Sequence, residues 1–136
     1  MGSPDLCTEE EIRELVTRFY ARVRADADLG PIFERHVSDW DAHHAQLIDF
    51  WSSVLRGTAR YRGTPMPKHA ALDELSPARF HRWLALFAET TAELGNTGLR
   101  ERATEMAQRI AQSLWHGHQM SRERGRISEP LAVRDL

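Results

Sequence analysis

The chain has 136 residues, 41% hydrophobic and 28% charged, which suits one globular domain with a single core. Its formal charge of -2 excludes the global basic field of a nucleic-acid-binding domain. No apolar run approaches the roughly 18 residues that cross a bilayer, and Met1 to Glu10 has no basic-then-apolar leader, so a cytoplasmic protein without nucleic-acid or membrane partners is expected.

Cys7 is the single cysteine, so no intramolecular disulfide can form. It precedes the first helical pattern and no nucleophile motif surrounds it, so it reads as incidental rather than catalytic. Thr8 and Glu11 have the spacing of a capping box. Ile12, Leu15, Val16, Phe19, Tyr20 and Val23 then make one helical apolar face. Gly30-Pro31 is expected to end this segment, with Pro31 in the first turn of a short helix carrying Ile32 and Phe33. Ser38 or Asp39 caps a second long helix whose inner face reads Trp40, His43, Leu47, Phe50, Trp51, Val54 and Leu55, and Gly57 stops it.

From Arg56 to Pro67 the periodicity vanishes, and Gly57, Gly63, Pro65 and Pro67 make a loop of the length that is often functional. A short turn of helix is expected around Pro67 to Leu72. Ser76-Pro77 is a cap followed by a first-turn proline. It opens a third face of Phe80, Trp83, Leu84, Phe87, Thr91 and Leu94. Gly95 to Gly98 is a break. The last long helix carries Leu99, Ala103, Met106, Ala107, Ile110, Ala111, Leu114 and Trp115. Strict alternation never lasts, so no strand competes, and the fold class is all-α.

Seven histidines are present, without paired Glu-x-x-His motifs, a His-Glu-x-x-His motif or a phosphate-binding glycine loop. His116-x-His118 reads as a solvated pair at a helix end, with a stray surface metal as the alternative. His43 shares the apolar face with Leu47 and Phe50; it is either a core histidine satisfied by a carbonyl or a donor inside an apolar cavity. His44 points about 100° away and is expected in solvent. Tyr20 and Trp83 also face inward. Singly, each fits plain core. Together, three donors on three apolar faces and no carboxylate suit a ligand that accepts hydrogen bonds, such as dioxygen.

Several stretches share an order and spacing. They are Phe19-Tyr20 with Val23-Arg24; Leu29-Gly30-Pro31-Ile32-Phe33; Asp39-Trp40 with His43 and Phe50-Trp51; Arg60-Tyr61-x-Gly63-x-Pro65-Met66 with His69; Phe80-x-x-Trp83-Leu84-x-Leu86-Phe87; and Ile110-Ala111-x-Ser113-Leu114. Across residues 8 to 116 the chain resembles the truncated globins, in their third group. The resemblance implies a two-over-two helical sandwich around one haem b (iron protoporphyrin IX). Without a Cys-x-x-Cys-His attachment site, that haem is held non-covalently. Residues 1–7 are then an N-terminal extension, 8–120 the globin domain and 121–136 a disordered tail.

By position, His69 matches the family's iron ligand and Tyr20, His43 and Trp83 its distal polar residues. Leu47, Phe50 and Trp51 match the apolar side of the distal helix. Further apolar contacts to the ring are expected from Met66, Leu72, Ile110 and Leu114. Propionate partners are expected among Arg60, Tyr61 and Lys68, each with a solvated loop residue as the alternative. The implied function is reversible binding of O2, NO and CO, with NO dioxygenase-like or peroxidase-like detoxification fed by an unidentified electron donor, in a monomer or weak dimer. The second reading is a haem-based redox sensor or electron carrier in which His43 closes the sixth coordination position. A haem-free helical interaction module would explain the amphipathic faces but not the placement of Tyr20, His43, His69 and Trp83.

Overall fold

The computed structural model describes residues 3–61 and 76–122. They form α1 (Glu9–Ala25), α2 (Leu29–His36), α3 (Trp40–Arg56), α4 (Pro77–Glu93) and α5 (Thr97–Arg122), with no strand among them. The helical turn expected around Pro67 to Leu72 and the tail beyond Arg122 lie outside the described residues.

Local chemistry starts and stops these helices. The Thr8 hydroxyl accepts from the Glu11 N–H at 3.1 Å and the Glu11 carboxylate accepts from the Thr8 N–H at 2.9 Å, which completes the capping box at α1. Asp39, not Ser38, caps α3 by accepting from Ala42 N–H. Gly57 ends α3 in the left-handed region at φ 73°, where a glycine carries no Cβ penalty. Ser76 caps α4 ahead of Pro77, and Asn96 caps α5 by accepting from Leu99 N–H at 3.0 Å.

The first corner differs from the sequence expectation. Gly30-Pro31 does not end α1; both residues lie inside α2. The break falls earlier, at Asp26, whose carboxylate accepts from the N–H groups of Asp28 and Leu29. A side chain that imitates a turn ends the helix there. Gly30 serves close approach instead, since a Cβ at this position would lie 2.5 Å from the Arg24 carbonyl oxygen.

Helix α1 is the centre of the packing. It touches α2, α3 and α4, and α5 lies along α4, whereas α3 and α5 meet only narrowly. Ile12, Leu15, Val16, Phe19 and Val23 of α1 are at most 1% exposed, so its predicted face is the core. The Glu9 carboxylate anchors the start of α1 to the end of α3. It accepts from the Ser52 hydroxyl at 2.7 Å, from Arg56 at 2.5 Å and from Arg60 at 2.7 Å. Arg56 also donates to the Cys7 carbonyl. Burial pushes the Cys7 thiol up to about 11, consistent with an inert packing residue.

The Gly30 contact gives a direct test. Gly30→Ala is expected to destabilise the protein by about 1–3 kcal/mol, because backbone rather than a flexible side chain must move. A urea unfolding midpoint equal to or above that of the unaltered protein would contradict this.

Candidate functional site

Tyr20 sits on α1 with its ring 5% exposed and aromatic side chains from the neighbouring helices around it. Phe33 of α2 lies 5.8 Å away between ring centroids, Trp40 6.1 Å, His43 5.4 Å and His44 6.0 Å. From α4, the indole N–H of Trp83 acts as hydrogen-bond donor towards the Tyr20 oxygen. An indole nitrogen can only donate, so the Tyr20 oxygen is the acceptor in this pair. Burial raises the Tyr20 hydroxyl far above the usual phenol range, and the Trp83 hydrogen bond offsets only part of that rise. The group is a neutral donor.

Trp83 is fixed by rings. It stacks on Phe87 at 5.8 Å, and Phe87 stacks on Trp51 of α3 at 5.1 Å. Phe19 of α1 meets both Trp83 and Phe87 edge-on, at 5.3 and 5.1 Å. Pairs of this geometry contribute about 0.5–1.5 kcal/mol each beyond area burial. The spine Trp51–Phe87–Trp83 joins α3 to α4, and Phe19 adds α1 to it next to Tyr20.

His43 is half-buried, its ring edge-on to Tyr20 and to Trp40 at 5.4 Å each. His44 corrects the sequence expectation, because it is half-buried rather than solvated, 5.8 Å from Trp40 and beside Tyr20. Burial lowers its pKa; Arg24 adds to the shift and Asp41 opposes it. The sequence held a usable signal, since Trp40 and His44 stand at i and i+4 and share a side of the helix. The single apolar stripe used to orient α3 hid it. Trp40 has a further partner in Arg24, whose guanidinium lies 4.4 Å over its ring.

Further along α3, Leu47 and Phe50 are half-buried against the core and Trp51 is 4% exposed. Tyr61 lies edge-on to Phe50 at 5.2 Å and donates its backbone N–H to the Ser53 hydroxyl. Arg60 is held by Glu9 and, at 3.4 Å, by Asp49. On α5, Ile110 is half-buried and Leu114 is 8% exposed. Met66, Lys68, His69 and Leu72 lie outside the described residues. His116 is exposed. Among the described residues, no group of three or more His, Cys, Asp or Glu is placed to hold a metal ion, and no helix is long and apolar enough to cross a membrane.

Tyr20, His43 and Trp83 are thus brought together from three helices. Beside them runs an α3 face of half-buried apolar residues that α5 does not cover, as a flat apolar ligand between the helices would require. This arrangement is that of a globin. The family model described as bacterial-like globin matches residues 5–128. A group 3 truncated hemoglobin of Campylobacter jejuni is 36% identical over 107 residues, which are 76% of this chain and 84% of that protein. The crystal structure of a group III truncated hemoglobin from Campylobacter jejuni matches with a TM-score of 0.75 at 33% identity, over 92% of this chain and 99% of that one. The chain belongs to the bacterial-like globins, and within them to the group III truncated haemoglobins.

The raised Tyr20 pKa has a stability consequence whose sign follows from linkage. The folded state holds this proton to higher pH than the unfolded chain does. The contribution is therefore complete below about pH 10, the ordinary phenol value, and is lost as pH rises beyond it. Melting temperatures of wild type and Tyr20→Phe measured from pH 8 to 12 should show a steeper alkaline fall in wild type. Parallel curves would mean that Tyr20 is not buried as a neutral phenol.

Proposed function

We propose that this globin holds haem b non-covalently, with His69 as the iron ligand, and binds O2, NO and CO reversibly on the side of Tyr20, His43 and Trp83. The observation that carries this reading is Tyr20 itself, a phenol that burial keeps neutral, with Trp83 beside it as a donor and Trp40 and His43 packed around its ring. A bound haem would supply an iron able to take a diatomic gas. The chain's own residues do the rest. Tyr20 donates a hydrogen bond to the ligand. Trp83 orients that hydroxyl, and His43 stands against Tyr20 as a second polar neighbour. Leu47, Phe50, Trp51, Met66, Leu72, Ile110 and Leu114 would hold the apolar ring. Arg60, Tyr61 and Lys68 would meet the propionates, and Arg60 would then exchange or share its carboxylate partners Glu9 and Asp49.

A hydrogen bond to a charged or strongly polarised acceptor contributes about 1.5–3 kcal/mol, and each 1.4 kcal/mol slows release about tenfold. The site is therefore suited to retaining its ligand for a reaction, such as NO dioxygenation or peroxide reduction with an external electron donor, rather than to rapid delivery.

Purified protein supplied with haem should show a Soret band and bind CO when reduced. His69→Ala should lose the histidine-type spectrum. Tyr20→Phe should release oxygen about tenfold faster or more, as measured by stopped flow. A protein that does not take up haem, or a His69→Ala variant with an unchanged spectrum, would overturn the reading. His43 lies close enough to the same pocket to support the electron-carrier alternative, and a six-coordinate low-spin ferrous spectrum without added ligand would favour it over open-site binding.

A further inference from the structure

Trp83 of α4 packs edge-on against Phe19 of α1 at 5.3 Å, next to Tyr20, and further along the same two helices Arg22 donates to the Thr90 hydroxyl at 2.9 Å and pairs with Glu93. Edge-on and stacked rings tolerate sliding along the helix axis, whereas an N–H···O contact weakens steeply when its angle is lost. Arg22 with Thr90 and Glu93 holds one end of the α1–α4 contact, and the end that carries Trp83 has its own tie at the corner that follows α1. Asp26 lies just past the end of α1 with its carboxylate 6% exposed. It accepts from Leu29 N–H at 2.9 Å, from Asp28 N–H at 3.1 Å and from Arg82 Nε at 2.7 Å. The backbone N–H of Leu29 first, and then Arg82 and the N–H of Asp28, hold it below the usual carboxylate range against the opposing effect of burial. Arg82 is the residue before Trp83. One turn earlier on the same helix, Arg79 reaches Asp28 at 3.2 Å. Two guanidinium groups of α4 thus grip the corner that closes α1.

We propose that Asp26 and Arg82 are positioning residues that set the register of Trp83 against Tyr20. This rests on the reading of Tyr20 as a ligand donor. An ordinary exposed ion pair would not hold a helix in place. Here the carboxylate is buried and already fixed by two backbone donors, so the guanidinium finds its partner at one point in space. The pair acts through geometry on the donor and touches neither ligand nor haem.

The test uses the reduced, CO-bound holoprotein, in which the C–O infrared band reports polar contacts to the ligand and the complex is diamagnetic. Asp26→Asn keeps an oxygen for the N–H groups of Asp28 and Leu29 and removes only the charge that Arg82 meets. Arg82→Gln removes the other half. Each should move the C–O band towards its position in Tyr20→Phe, shift the Trp83 indole N–H resonance and speed oxygen release about threefold. The double variant should be no worse than either single one, as for residues acting as a unit. The proposal is overturned if Tyr20→Phe moves the band while Asp26→Asn and Arg82→Gln leave the band and the indole resonance at their wild-type positions, or if the two effects simply add. A band unmoved in Tyr20→Phe would instead refute the donor reading of Tyr20, and this inference with it.

Discussion

Burying a phenol hydroxyl among aromatic rings costs about 1–3 kcal/mol if nothing polar meets it. In this chain the indole N–H of Trp83 meets the Tyr20 oxygen. That contact dictates much of the surrounding structure. Trp83 must approach α1 side-on, so α4 crosses where Phe19 can turn its edge to both Trp83 and Phe87. The stack continues into Trp51, which brings α3 to the same level and sets His43 beside Tyr20 from above. Tyr20 thus sits where three helices meet, and the buried Trp40 indole nitrogen beside it has no hydrogen-bond partner among the described residues.

Helix α1 can carry this arrangement because polar contacts hold it at both ends and, through Arg18 and Arg22 to Glu93 and Thr90 of α4, along its second half, with apolar packing on its inner face. At its start, Glu9 gathers Ser52, Arg56 and Arg60. At its end, Asp26 gathers two backbone N–H groups and Arg82. Both carboxyls lie below the ordinary range because donors surround them. Hydrophobic burial supplies most of the stabilisation but is non-directional. The hubs supply direction, and they lie away from the Tyr20 side chain, so charges fix the helix without entering the pocket.

The helices and their faces were legible in the sequence because caps and periodicity are local chemistry. Thr8 with Glu11, Gly57 and Ser76-Pro77 are readable from three or four residues each, and all act as their chemistry predicts. The fold class followed from the ordered motifs that resemble the family. What failed did so for identifiable reasons. Gly30 looked like a helix stop because glycine usually frees the backbone, but here it makes room for the Arg24 carbonyl. Asp26 was passed over because Gly30-Pro31 offered the stronger break signal, although its bonds to the N–H groups of Asp28 and Leu29 are local; only its pairing with Arg82 is distant in sequence. His44 was assigned to solvent because one stripe was taken as the whole inner surface of α3. A helix covered on two sides by α1 and its own first turn buries a second stripe, and Trp40 belongs to both.

The electrostatic character of the pocket follows from burial alone. Desolvation disfavours whichever form is charged, so it raises Tyr20 and lowers His44, leaving both neutral. The cation nearest to them, Arg24, is spent on Glu34 and on the face of Trp40. Asp41 is the carboxylate that acts on this cluster, where it opposes the lowering of His44. A neutral pocket of this kind cannot select a ligand by net charge. It can select by polarisation, because a fixed O–H donor gains most from a small ligand that becomes an acceptor only once bound. The directional contacts at the two ends of α1 keep the Tyr20 ring at one place among these neighbours.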